Sequence, residues 1–290
     1  MFPHAEPVEE WGWVRRTMTD GYQSTLNDLA ARISDGVHLA IPADRRGVAM
    51  AATRALIRRG VKNLRLTAVP TSGLQADLLI GAGAVSEIET SAVSLGEYGP
   101  APRFTHAVTR GQITIREATC PVIHAGLQAS EKGIPFMPLR GIIGSDIQKH
   151  RADWRVVDNP MADGGDPILL LPAIAPDVAL FHVSLADRDG NVWAGRDRDL
   201  ITMAHASRET LVTAEKIQDA NLFDDPVRSA GALSSLYVTA VAQAERGAWP
   251  LGQPGLYGDD GPHLRAYAEA AQTVDGFAGY LDEHVFAAAA

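Results

Sequence analysis

Cysteine is almost absent from the sequence: the 290 residues include one, Cys120. A single cysteine excludes a disulfide within the chain and any metal site that needs several thiolates. It is also typical of a reducing compartment, so we expect a cytoplasmic protein. No base lies near Cys120 in the sequence, and we interpret this residue as a small structural side chain rather than a nucleophile.

Long apolar runs are absent as well. No stretch of about 18 apolar residues could form a membrane-spanning helix. The first ten residues, which include Glu6, Glu9 and Glu10, lack the basic-then-apolar order of a signal peptide. Basic residues are fewer than acidic ones, and the formal net charge of −9 opposes attraction to a phosphate backbone. We therefore predict neither a membrane nor a nucleic acid as a partner, although a local basic patch can still bind an anionic cofactor.

Three common catalytic motifs are missing too. There is no Gly-x-Ser-x-Gly elbow, no Gly-x-x-x-x-Gly-Lys-Ser/Thr phosphate loop and no His-Glu-x-x-His helix. The nine histidines do not occur at the spacing of metal ligands, so we predict no metal site. Residues 81–83 read Gly-Ala-Gly but lack the third glycine of a dinucleotide-binding loop, which favours close packing at a turn.

The sequence does contain an alternation of short apolar strands and amphipathic helices. Residues 178–183 form a nearly continuous apolar run that ends before a turn at Asp189 and Gly190, and we predict a central strand buried on both faces of a parallel sheet. The pattern predicts one α/β domain. Further strands are predicted at residues 37–41, 64–69, 88–95, 111–117, 134–140 and 209–215, and helices at 26–33, 50–59, 104–110, 122–132, 201–207 and 264–281, the last one broken near 276–279.

Several segments resemble the α chain of class I coenzyme A transferases, and the order and spacing of the segments carry the resemblance. The glutaconate CoA-transferase α subunit shares it, and it covers roughly residues 24–286. It identifies a single domain over that range and leaves residues 1–23, with Trp11 and Trp13, as an N-terminal arm. The segments are residues 176–183, 186–191 and 204–217, with further matches at 79–83, 111–117, 129–138, 255–257 and 283–286.

The resemblance implies an open, mainly parallel sheet with flanking helices and a partner β subunit of the same fold, in an α2β2 assembly. It implies that a coenzyme A thioester and a carboxylic acid are the substrates and that no cofactor is bound permanently. It also places the nucleophilic glutamate on the partner, and this chain then supplies pocket walls and recognition of the acyl group. A carboxylate suits this chemistry because it is both a nucleophile and a leaving group.

The substrate-binding candidates begin with two arginines. Relatives usually carry a glycine pair in the first strand-to-helix loop, but here residues 41–47 lack the pair and retain Arg45 and Arg46. Either arginine could bind a substrate carboxylate through two hydrogen bonds, or the pair could simply be solvated at a helix start. Ser94 and Gly144 complete the predicted substrate-binding residues.

Glu97 and Glu117 are the catalytic candidates of this chain, since each follows or ends a predicted strand; a surface position is the alternative for both. They bear on a second enzyme class, because similar α subunits belong to two-chain hydrolases that cleave carbon–carbon bonds of cyclic acyl-CoA intermediates in steroid breakdown. A third interpretation is a ligand-sensing module without catalysis, but no DNA-binding segment supports it. We favour the transferase, acting on a dicarboxylic or ring-derived acid.

Overall fold

The computed structural model describes residues 22–287. The arm predicted at residues 1–23, with Trp11 and Trp13, lies outside this range except for its last two residues. The strands are β1 (Gln23–Ser24), β2 (His38–Pro42), β3 (Leu64–Val69), β4 (Val85–Thr90), β5 (Thr114–Glu117), β6 (Phe136–Leu139), β7 (Arg155–Asp158), β8 (Pro167–Pro172), β9 (Val178–Asp187), β10 (Val192–Trp193), β11 (Glu209–Gln218), β12 (Ala232–Leu233) and β13 (Ala240–Gln243). The helices are α1 (Leu26–Ala31), α2 (Met50–Arg59), α3 (Leu74–Gly81), α4 (Pro102–Thr109), α5 (Cys120–Glu131), α6 (Asp146–Lys149), α7 (Arg198–Ala206), α8 (Gly261–Ala270) and α9 (Val274–Leu281).

The main sheet is parallel along its whole path, in the order β1-β13-β11-β9-β2-β3-β4-β5. Short antiparallel strands β10 and β12 extend it beside β9. The predicted central strand is confirmed: β9 pairs with β11 on one side and β2 on the other, and its first six residues are buried. The predicted α/β fold with a mainly parallel sheet is therefore confirmed.

Helices cover both faces of this sheet, and each face has its own apolar core. One core collects residues of α1 to α4, α8 and α9, and the other collects residues of α5 and α7. Helix α2 ends as predicted, because Gly60 takes the left-handed conformation (φ 75°) that closes a helix with its backbone N–H. Within the described residues, no helix is both long and apolar enough to cross a bilayer.

A small second sheet was not predicted. Strands β6, β8 and β7 form an antiparallel sheet, so the extended segment predicted at residues 134–140 belongs there and not to the main sheet. The prolines fit this arrangement: Pro138 lies on an edge strand, and Pro167 and Pro172 are the end residues of β8.

Several predicted element bounds were wrong. The strand predicted at residues 88–95 is β4 and ends at Thr90, and the strand predicted at 111–117 begins at Thr114. Residues 240–243 form β13, a strand that was not predicted because its region showed no periodicity. The C-terminal helical segment breaks before Thr273, whose side chain caps α9 by accepting the backbone N–H of Gly276. Gly276 and Gly279 therefore lie inside a helix and do not interrupt it.

Candidate functional site

From β2 the chain continues to β3, β4 and β5 on one side, whereas β9 and β11 lie on the other side of β2. The order of the strands therefore changes direction between β2 and β9, which makes this position a topological switch point. In open parallel sheets, the crevice beyond the carboxyl ends of the strands at such a switch point is the usual ligand site. Residues 43–49, the loop that follows β2, border this crevice. The backbone N–H of His182 in β9 donates to the carbonyl oxygen of Gly47 over 2.6 Å, which ties the loop to the central strand.

A cavity of about 80 Å³ lies at this carboxyl edge, between the loops that follow β2, β3 and β4. Four leucines form its apolar part, and its polar part comes from an acid, an arginine, a serine and a tyrosine. The lining residues are Asp44, Arg45, Leu74, Ser94, Leu95, Gly96, Tyr98, Leu251 and Leu264. The predicted residues Arg45 and Ser94 are thus brought together.

Arg45 is already paired within the chain. Its backbone has a positive φ of 64°, and its guanidinium donates to Asp259 through Nε and to Glu97 Oε1 through Nη2 over 3.2 Å. Asp259 is itself fixed, because its Oδ1 accepts the backbone N–H of Gly252 over 2.6 Å. The Nε–Nη2 edge of this guanidinium is therefore already engaged by two carboxylates of the chain.

Arg46 points to the other side of the loop, outside the cavity lining. Its Nη1 lies 3.5 Å from Asp199 Oδ2 and 3.8 Å from Asp197 Oδ1, at the start of α7. These distances are longer than those of a charge-assisted hydrogen bond, and the side chain is 57% exposed. Arg46 is therefore the less tightly paired of the two predicted arginines.

Ser94 shapes the turn beside the cavity. Its hydroxyl accepts the backbone N–H of Gly96 over 3.1 Å and donates to the carbonyl oxygen of Gly99 over 3.4 Å. The turn it stabilises carries Glu97, whose side chain is 67% exposed, and Tyr98, which faces the cavity. Glu97 thus lies at the rim, next to Arg45.

The other predicted residues lie elsewhere. Glu117 is exposed at the end of β5, and Gly144 lies between β6 and α6, where its backbone N–H donates to Gln148 Oε1 over 2.7 Å. Neither lines the cavity. Cys120, which we interpreted as a small structural side chain, is exposed at the start of α5 with its Sγ 3.3 Å from Ser91 Oγ, so it adds little to the core.

Asp44 is the cavity residue that the sequence analysis missed. Its Oδ2 accepts the backbone N–H of Leu74 at the start of α3 over 3.0 Å, and its Oδ1 is buried with no hydrogen-bond partner among residues 22–287. Burial raises the pKa of this carboxyl to about 6, against the opposing effects of the Leu74 and Gly73 amides and of Arg45. Its position next to Arg45 and Arg46, in the loop of residues 43–49 (the arginine loop), was the available signal.

A buried network beside the crevice was also missed. Glu215 in β11 accepts the backbone N–H groups of Arg246 and Gly247 over 2.7 and 3.1 Å, and it is hydrogen-bonded to His182 and to the Tyr257 hydroxyl. Burial raises its pKa, but the hydrogen bonds from His182 and Tyr257 outweigh burial and lower the pKa overall. The network holds residues 246–257 against the sheet.

A larger groove of about 420 Å³ lies over the face of β2 to β5, where residues 151–175 cover it. Burial and Arg65 lower the pKa of His38, one of its lining residues, to about 4. We do not assign the functional site here, because the groove lies on the sheet face and two of its three arginines form short ion pairs within the chain. Arg116 pairs with Asp153 and Arg151 with Glu89, each over 2.7 Å, whereas Arg65 lies 3.7 Å from Asp177.

Among residues 22–287, no three side chains of histidine, cysteine, aspartate or glutamate lie close enough together to hold a metal ion.

Comparison with known proteins places this geometry in a family. An uncharacterised protein of Archaeoglobus fulgidus is 30% identical over 293 residues, which cover 97% of this chain but only 64% of that protein. The cholesterol ring-cleaving hydrolase IpdA subunit of Mycobacterium tuberculosis is 31% identical over 275 residues, 91% of this chain and 92% of that one. The A subunit of glutaconate CoA-transferase from Acidaminococcus fermentans is 28% identical over 285 residues, 90% of this chain and 87% of that one.

Solved structures agree with these relatives. The crystal structure of glutaconate coenzyme A-transferase from Acidaminococcus fermentans has a TM-score of 0.84 at 26% identity and covers 92% of this chain and 89% of that one. A variant of the decarboxylase AibA/AibB has a TM-score of 0.78 at 27% identity and covers 91% of this chain and all of that one (100%). The sequence model of the coenzyme A transferase family matches residues 23–221. The chain therefore belongs to the coenzyme A transferase family.

Proposed function

We propose that this chain is the α subunit of a heteromeric CoA-transferase that moves coenzyme A between an acyl-CoA and a carboxylic acid. The observation that carries the proposal is its likeness, over most of both chains, to a protein named as the A subunit of glutaconate CoA-transferase. The crevice at the switch point supports it, since it offers a small, partly apolar cavity of the kind that receives the end of an acyl group.

The nucleophile is proposed to lie on a partner β subunit. The carboxylate of a glutamate attacks the thioester carbonyl and CoA thiolate leaves, which gives a mixed anhydride. The thiolate then attacks the glutamyl carbonyl, the bond from that carbonyl to the bridging oxygen breaks, and the first acid leaves as a carboxylate that keeps this oxygen. The second carboxylate attacks the resulting glutamyl-CoA thioester, and the same two steps in reverse give the new acyl-CoA and restore the glutamate. Of the acids beside the cavity in this chain, Glu97 and Asp259 pair with Arg45, and the Asp44 carboxyl is enclosed. None of these three acids is both unpaired and open to a substrate, which supports a nucleophile on the partner.

The residues of this chain would then bind and orient. Arg46, with its long contacts to Asp197 and Asp199, is proposed to reach an anionic group of the substrates, such as a CoA phosphate or the reacting carboxylate. Arg45 and Ser94 are proposed to form the wall of the acyl site. An α2β2 assembly with a β subunit of the same fold completes the proposal.

The second candidate is the α subunit of a ring-cleaving hydrolase. It is favoured by the similarity to the cholesterol ring-cleaving hydrolase IpdA subunit, which covers about as much of this chain as the similarity to the transferase does. Such a hydrolase needs a general base next to the acyl group. Glu97 or Glu117 is proposed for that role, although Glu97 is paired with Arg45 and Glu117 lies outside the cavity lining.

The test is to purify the chain with and without its partner chain and to mix each sample with an acyl-CoA and an acceptor acid. We expect no exchange by the chain alone, and exchange with a CoA adduct on the partner chain in the complex, seen by intact mass. A stoichiometric adduct on this chain, at Glu97, Glu117 or Cys120, would overturn the assignment. Loss of substrate with water consumed and no exchange would favour the hydrolase.

A further inference from the structure

The charges around the cavity do not balance. Asp44, Glu97 and Asp259 carry carboxylates there, and Arg45 is held between the last two. Arg265 adds a second positive charge behind Tyr98, with its guanidinium carbon 6.0 Å from the ring centre. With every group charged, three negative groups face two positive ones. The Asp44 carboxyl is the one of these acids without a side-chain cation in hydrogen-bond contact.

The position of the Asp44 carboxyl depends on a glycine in the neighbouring backbone. A side chain at Gly73 would overlap the Asp44 carboxyl, so the glycine is what lets the carboxyl approach the start of α3. The buried Oδ1, with no partner among the described residues, leaves the ionised form only partly compensated. An uncompensated carboxylate enclosed beside a small cavity acts on whatever enters it, because the surroundings screen its charge less than water does.

We propose that Asp44 is a specificity-determining residue that keeps the cavity net negative and so selects acyl groups whose inner end is uncharged. The four leucines that line the cavity match such an end, and the Nε–Nη2 edge of Arg45 is already held by Asp259 and Glu97. The substrate class is therefore an acyl-CoA with a neutral chain end, which disfavours the dicarboxylic member of the two acid classes, dicarboxylic or ring-derived, that the sequence analysis favoured. The proposal rests on the proposed function, since it takes the cavity as the acyl site.

The test compares two acyl-CoA probes of equal chain length, pentanoyl-CoA and glutaryl-CoA, which end in a methyl group and a carboxylate. Their dissociation constants are measured by calorimetry on the complex of this chain with its partner chain, at about pH 7.5. We expect the wild type to bind glutaryl-CoA at least about tenfold more weakly than pentanoyl-CoA. In Asp44→Asn we expect the ratio of the glutaryl-CoA to the pentanoyl-CoA dissociation constant to fall by about tenfold, because glutaryl-CoA binds more tightly. The dissociation constant of pentanoyl-CoA should stay within about twofold of its wild-type value.

Two further variants separate charge selection from a structural role. Asp44→Ser removes the charge with a smaller polar side chain and should narrow the ratio of the two dissociation constants in the same way. Asp275→Asn removes an exposed acid from the first turn of another helix, α9, and should leave the ratio unchanged. A variant that had merely loosened the fold would weaken the binding of both probes.

The pH dependence gives an independent readout. Lowering the pH from about 7.5 to about 5.5 protonates Asp44 in the wild type and should narrow the ratio, whereas Asp44→Asn should show no such change. The neighbouring groups that also carry or can change charge are present in both proteins, so their effect on the pH dependence cancels when the variant is compared with the wild type. These groups are Glu97, Asp259, Arg45, Arg265 and Tyr98. Equal affinity of the wild type for both probes, or an unchanged ratio in Asp44→Asn, would overturn the proposal. If no probe is turned over but the ratio behaves as expected, charge selection stands and the transferase assignment fails.

Discussion

Asp44 also links the stability of the chain to pH. Burial raises its pKa from 3.8 to about 6 on folding. Between about pH 4 and pH 6 the folded state therefore binds a proton that the unfolded state has released, so the free energy of unfolding falls as the pH rises through this window. We expect Asp44→Asn to remove this part of the pH dependence, about 1 to 3 kcal/mol. Urea unfolding of the wild type and the variant at about pH 4.5 and 7.5 measures this contribution. The same difference in free energy of unfolding between the two proteins at both pH values would contradict the prediction.

Arg46 is the arginine whose replacement should affect substrate binding. In Arg46→Lys a point charge replaces the planar fork, and we expect KM to rise by the equivalent of about 1 to 3 kcal/mol with kcat nearly unchanged. Arg32→Lys, at the end of α1, is the matched control and should leave both constants unaltered. Steady-state kinetics of the complex decide, and unchanged kinetics of Arg46→Lys would remove this residue from the site.

The two glutamates separate the enzyme classes. A transferase should still form the enzyme–CoA thioester when Glu97 or Glu117 becomes Gln, with a modest change in rate. A hydrolase that uses one of them as its base should lose roughly 10² to 10⁴-fold in turnover and still bind acyl-CoA. Single-turnover assays of both variants give the answer. Normal turnover of both variants would exclude either acid as a catalytic base.

Among the individual residues of the site, only some could be predicted from the sequence. The segment before Glu97 and the loop carrying Arg45 were recognisable because polar residues follow apolar strands there. The pairing of Arg45 with Asp259, 214 residues away in the chain, could not be predicted, since no local pattern reports which loops meet at a sheet edge. Asp44 was overlooked for the same reason: its enclosure comes from the start of α3 and not from its neighbours in sequence.

Two glycines, one at the start of α3 and one inside α9, should respond in opposite ways to a methyl group. In Gly73→Ala the new side chain would overlap Asp44 and the Ser94 carbonyl oxygen, so we expect a loss of about 1 to 3 kcal/mol of stability. Gly279, inside α9, has no heavy atom within 4 Å of the added carbon, and Gly279→Ala should stabilise by about 0.5 to 1 kcal/mol. Thermal unfolding measures both, and a stabilising Gly73→Ala would contradict the close approach.

Elements with a clear period were predicted well, and those defined by their partners were not. The apolar runs of β9 and β3 and the amphipathic α2 carry their own signal. Strand β13 has only four residues between irregular segments, and it is a strand because β11 and β1 lie on either side of it. Trp249 and Tyr257, in a segment without periodicity, are half-buried and hydrogen-bonded within the chain: Trp249 Nε1 donates to Asp260 over 3.0 Å, and the Tyr257 hydroxyl is bonded to Glu215.

On the scale of the whole molecule, exposed apolar side chains mark where a partner is expected. Phe223, Val227, Leu236 and Tyr237 are 40 to 87% exposed, and their segment begins at the carboxyl end of β11, the same edge as the crevice. We expect Leu236→Asp to weaken association with the partner chain by about tenfold or more, because a charge would replace an apolar contact. Val274→Asp, at an exposed apolar position of α9, is the control. Sedimentation velocity of the mixed chains tests this, and equal effects of the two variants would contradict it.

The pairing of β2 with β9 joins segments that are far apart in the order of synthesis. Leu39 lies beside Val178, so β2 has an unpaired edge until the ribosome has released about 140 further residues. During that interval the nascent chain exposes an apolar strand that other chains can pair with. The loop after β2 cannot take its final position before His182 emerges, since that residue holds Gly47. Chains terminated before β9 should therefore aggregate and lack a formed crevice. The second half of the coding sequence is thus as necessary for the site as the first half, which encodes the arginine loop.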